Sequence, residues 1–87
     1  MRKKLSDAER TWREANDSYA HAVTGIWSYA DTTKTRFTEC FARATAQERE
    51  AYDSAVLRLI TSQRDAVISG AAYRDEHGKL QFYVVKT

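Results

Sequence analysis

Asp17 and His21 stand four residues apart, so on a helix a carboxylate and an imidazole would share one face and could pass a proton between them. The plainer reading of that pair is a surface contact between adjacent turns. Cys40 is the single thiol of the chain. No histidine or asparagine lies close to it in sequence, and it falls in an apolar set with Phe37 and Phe41, which points to a packed core thiol rather than a nucleophile. His77 lies in the turn-like run Asp75-Glu76-His77-Gly78, where exposure to solvent is the default. Two histidines and one cysteine at these spacings offer no metal site, and the isolated Gly25, Gly70 and Gly78 form no phosphate-cradling loop. The expectation is a chain that is not an enzyme and takes neither cofactor nor metal.

The elements that would position these groups are mostly helical. Ser6-Asp7-Ala8-Glu9 has the pattern of a capping box, and apolar residues follow at Leu5, Ala8, Trp12, Ala15, Tyr19, Ala22, Ile26 and Tyr29 in alternating steps of three and four. The stripe falters over Asp31-Thr32-Thr33-Lys34-Thr35-Arg36 and resumes at Phe37, Cys40, Phe41 and Ala44, one position out of phase. With no glycine or proline at that point, continuation of one helix over about 6–43 is preferred to a break near Asp31. Thr45-Ala46-Gln47-Glu48 is a second capping box and opens a helix over about 46–69. Tyr52, Ala55, Val56, Leu59, Ile60, Gln63, Ala66 and Val67 share one face, while Leu57, Thr61, Arg64 and Ile68 lie on another, so the helix has apolar surface on more than one side. Gly70 stops it, and the alternation Leu80, Phe82, Val84 after the turn residues predicts a β-hairpin over about 71–85.

The fold class is therefore mostly α: a long helical hairpin of two main helices, with a third short one if the first breaks, closed by a small C-terminal β-hairpin. At 87 residues, residues 1–87 read as a single domain near the lower limit for a self-sufficient core. Hydrophobic residues at 43% and charged residues at 30% argue against disorder, and no apolar run is long enough for a membrane span. No apolar stretch follows the basic opening, so an export signal is not expected, and a single cysteine suits the cytoplasm.

Lengths bear on association. A helix over 6–43 would run roughly 57 Å against roughly 36 Å for its partner, leaving Trp12, Ala15 and Tyr19 without intramolecular cover from it. The C-terminal hairpin, a second copy or another protein must then cover them, and a homodimer satisfies this and the open hairpin edges together. Trp12, Tyr19, Trp27, Tyr29, Leu57, Ile68, Phe82 and Tyr83 are the candidate partner-binding residues, being aromatic or apolar and in excess of what one short helix covers. The alternative is a nucleic-acid-binding helical dimer. Its contacts would be Arg2, Lys3, Lys4, Arg10 and Arg13, although the formal charge is only +2 and no basic face emerges.

Lys3-Lys4-Leu5-Ser6-Asp7-Ala8 resembles the opening of small helical phage-encoded inhibitors of type I-E CRISPR systems. His77-Gly78 with its apolar-aromatic continuation is similar to that family's ending. The likeness is confined to the two ends. It implies a small dimeric helical protein, an anti-CRISPR acting in the host cytoplasm, that blocks a bacterial defence component by occupying a protein surface. No functional residue is carried over. The functional expectation is a non-enzymatic protein-binding regulator or inhibitor.

Overall fold

The computed structural model describes residues 6–84. Three helices precede a two-stranded sheet: α1 (Asp7–Trp27), α2 (Phe37–Arg43), α3 (Ala46–Ile68), β1 (Ala72–Arg74) and β2 (Leu80–Phe82). The mostly helical fold with a C-terminal hairpin agrees with the sequence pattern. Ser6 caps α1 by accepting the Glu9 amide at 3.1 Å. Thr45 and Glu48 form the reciprocal capping box of α3, each side chain accepting the other's backbone N–H.

The expected continuous helix over 6–43 is corrected. α1 ends at Trp27 and the chain refolds locally before α2. The threonine-rich stretch supplies the reason. The Thr35 hydroxyl donates to Asp31 Oδ1 at 2.6 Å and accepts the Thr32 amide at 3.1 Å, while Thr32 Oγ1 accepts the Lys34 amide at 3.2 Å. These short side chains offer the backbone partners that compete with helical hydrogen bonds, so neither glycine nor proline is needed to break the helix. The 43-end of α2 ties back to the loop, because Arg43 donates to the Tyr29 carbonyl at 3.2 Å and pairs with Asp31 at 3.5 Å.

α1 and α3, of 21 and 23 residues, are matched in length and pack antiparallel, with Tyr19 against Tyr52 and the start of α1 beside the end of α3. Small residues, Ala15 on α1 and Ala55, Ser62 and Ala66 on α3, are buried in this arrangement and permit close approach. At the other end of the pair α2 closes a compact cluster in which Ile26 and Cys40 are fully buried, with Ala44 beside them and Tyr29, Phe37, Phe41 and Tyr52 around them. A Schellman turn ends α3. Gly70, at φ 80°, donates to Val67 O at 3.1 Å, and Ala71 donates to Ala66 O at 3.0 Å.

The hairpin pairs Ala72 with Phe82, Tyr73 with Gln81 and Arg74 with Leu80. Asp75 Oδ1 organises its turn by accepting the His77 and Lys79 amides, each at 2.9 Å. The second strand ends at Phe82, earlier than the expected run to 85, and Val85 lies outside the described residues. The molecule is elongated, 48 × 27 × 26 Å, with a radius of gyration of 16.0 Å. A compact chain of this length would have about 12 Å. A long, thin body has little interior for its apolar side chains.

Candidate interaction surface

The residues that could do chemistry are not assembled. Asp17 and His21 are both exposed, and among the described residues no hydrogen bond or ion pair joins them. His21 instead rims a shallow groove between α1 and α3 with Ser18, Ser54 and Arg58. Cys40 is sealed in the core beside Ile26. His77 is exposed in the hairpin turn, 3.4 Å from Glu76. Among the described residues no group of three or more His, Cys, Asp or Glu is placed to hold a metal ion, and no helix is long and apolar enough to cross a membrane.

The candidate partner-binding residues divide into two sets. Trp12, Tyr19, Tyr29 and Phe82 are half-buried and held within the fold. The Trp12 ring lies 5.4 Å from that of Phe82, so the C-terminal hairpin covers the stripe that the length argument left bare. Tyr19 sits 6.0 Å from Tyr52. The premise of an uncovered α1 stripe is thus corrected: once α1 stops at Trp27, the helix pair is equal and the hairpin caps its open end. Trp27, Leu57, Ile68 and Tyr83 face solvent. Trp27 rests edge-on against Phe37 at 5.3 Å, and Tyr83 stacks on Tyr73 at 4.9 Å on the outer side of the hairpin.

Tyr29 has a defined structural role. Its hydroxyl donates to the Glu48 carboxylate that also caps α3, joining the loop after α1 to the start of α3. The hydrogen bond from Tyr29, with those from Thr45, holds the Glu48 carboxyl below its usual range, and the same bond raises the Tyr29 phenol. The hydroxyl of Thr35, followed by the charge of Arg43, lowers Asp31 in the same way.

The most coherent exposed apolar surface is on α3. Leu57 is 66% exposed, Ile60 57%, Val67 40% and Ile68 71%. Ile60, Val67 and Ile68 lie on the side of the helix away from Ala55, Ser62 and Ala66, which face α1, and Leu57, exposed beside them, also borders a groove with Thr11, Glu14 and Ala15 of α1. Ile60 and Val67, grouped from sequence on one face with Ala55 and Ala66, therefore belong to the outer face instead. With Arg64 and Ile68 they border a shallow hollow closed by Gln63 and Arg74. Asp53, Leu57, Ile60, Arg64 and Val67 follow at steps of four, three, four and three, the spacing of a helix-pairing seam. Burying the four aliphatic side chains would contribute on the order of 5 kcal/mol, an appreciable fraction of the roughly 4–15 kcal/mol that association costs. The 57-60-64-67 spacing was the signal in the sequence that could have marked Ile60, Arg64 and Val67 as part of this face.

The basic residues of the nucleic-acid alternative are partly engaged. Arg13 pairs with the buried Glu9 at 3.0 Å and Arg10 with Asp7 at 3.6 Å. Arg2, Lys3 and Lys4 lie outside the described residues.

No family model, curated protein or solved structure matches the chain.

Proposed function

We propose that this chain is a non-enzymatic, protein-binding regulator that docks through the outer face of α3. The observation that carries this reading is the row Leu57, Ile60, Val67 and Ile68, all exposed to solvent along the outer side of α3. Exposed aliphatic side chains grouped on one helix face mark a surface that gains free energy when covered. Helix-in-groove and helix-pair recognition both use anchors at this spacing. Regulation by occupancy needs no reacting group, and it makes no demand on the core thiol or on Asp17 and His21, which no hydrogen bond joins among the described residues. A bacterial defence protein, inhibited in the cytoplasm, is the partner class implied by the resemblance of the chain's ends.

The test is affinity capture from lysate with three chains: wild type, the double variant Leu57→Glu/Ile68→Glu, and Asp17→Ala/His21→Ala as a control on α1. A protein retained by wild type and control but lost from the α3 variant supports docking through this face. Identical capture by all three removes it. Nucleic acid in the captured material, released by salt, would favour the basic-arm alternative instead.

A further inference from the structure

We infer that the outer face of α3 receives a second copy of this chain, docked antiparallel about a two-fold axis, with Asp53 of each copy against Arg64 of the other and Leu57 against Ile60. This rests on the reading of that face as a docking surface and names what covers it while no other partner is bound. The argument is charge complementarity. Along the exposed face α3 presents Asp53, Leu57, Ile60 and Arg64 in order: acidic, apolar, apolar, basic. The spacing of four, three and four is the same read in either direction. Reversing a copy therefore brings Asp53 opposite the partner's Arg64 at both ends and Leu57 opposite the partner's Ile60 at both central positions. A parallel, in-register pair would oppose Arg64 to Arg64 and Asp53 to Asp53, which like-charge repulsion disfavours.

Two further features fit this register. Its two-fold axis falls between Arg58 and Leu59, close to the middle of α3 (Ala46–Ile68), so the helices overlap over about 20 residues or ~30 Å. Val67 and Ile68 then continue the apolar stripe toward the first turns of the partner helix. The charged ends are also available. Among the described residues neither Asp53 nor Arg64 enters an ion pair, whereas Asp7, Glu9 and Asp31 do. One helix pair of this length belongs with the small interfaces, below about 1,200 Å² in total, the class of weak and transient associations.

Sedimentation equilibrium of the full chain over a concentration series tests this, with far-UV circular dichroism confirming that each variant is folded. Wild type is expected to pass from monomer to dimer. Asp53→Arg and Arg64→Asp, each of which sets two like charges together at both ends of the seam, are expected to raise the dissociation constant about tenfold. The double variant Asp53→Arg/Arg64→Asp restores opposite charges and is expected to return close to wild type. A wild-type chain that stays monomeric, a dimer indifferent to both single changes, or a double variant as weak as the weaker single one would overturn the proposal. A monomeric chain that still loses a protein partner on Leu57→Glu/Ile68→Glu overturns self-docking while leaving the docking face itself standing.

Discussion

Trp12, near the start of α1, lies with its ring 5.4 Å from that of Phe82 in the last strand. The two ends of the described chain therefore meet, and the hairpin serves as a lid on the open end of the α1/α3 pair. Phe82→Ala should remove this cover and cost about 2–3 kcal/mol, below the loss typical of a fully buried phenylalanine because Phe82 is half-buried. In a Trp27→Phe background, the emission of Trp12 should shift to the red in the folded variant. Unchanged emission would mean that the hairpin does not shield the indole.

The Thr35 hydroxyl makes the contacts that hold the loop between α1 and α2. Thr35→Val keeps the shape but leaves the Thr32 amide without its acceptor. An expected loss of about 1–2 kcal/mol in chemical denaturation follows from one polar group left unsatisfied beside a buried side chain. Thr33→Val, at an exposed position with no such bonds, is the comparison and should change stability little.

Acid should destabilise the fold in a definite direction. Asp31, Glu48 and Asp75 are all held below their ordinary values, chiefly by hydrogen bonds from Thr35, from Tyr29, and from the Lys79 amide with Gln81. A carboxylate lowered by folding stabilises above its unfolded pKa, and that contribution is lost as pH falls through the lower folded value. Melting temperature should thus hold near neutrality and decline below about pH 4–5, where unfolded carboxylates take up protons. Glu48→Gln should flatten the decline. A melting temperature that rises on acidification would contradict the assignment.

Cys40 should behave as a core thiol. Buried beside Ile26, it should react with a thiol reagent only as fast as the protein opens, and denaturant should bring it to the free-thiol rate. Rapid modification of the native chain would show an exposed thiol and reopen the question of its reactivity.

Much of this architecture was legible in the sequence because local chemistry specifies it. Ser6 and Thr45 mark helix starts, Gly70 marks a stop that requires positive φ, and Asp75 to Gly78 mark a turn. The break after Trp27 was legible only as the less favoured alternative, since it arises from side-chain hydrogen bonds among Asp31, Thr32 and Thr35 rather than from a helix-breaking residue. The faltering stripe over residues 31–36 and the phase shift at Phe37 were its traces. The two faces of α3 were misassigned in part for a related reason. Its buried side is built from Ala55, Ser62 and Ala66, which hydropathy weighs lightly, while the larger Leu57, Ile60 and Ile68 point outward. Close helix packing selects the small side, and periodicity alone cannot express that choice. Covering of Trp12 by Phe82 joins distant parts of the chain, which no local pattern encodes.

The central claim, that the outer face of α3 receives a second copy of this chain, is tested most directly by amide chemical shifts of the labelled chain followed as its concentration is raised. Shifts that grow at Asp53, Leu57, Ile60 and Arg64, while Trp12 and Tyr19 stay fixed, are the expected result. Shifts absent throughout, or confined to the hairpin and α1, would contradict it.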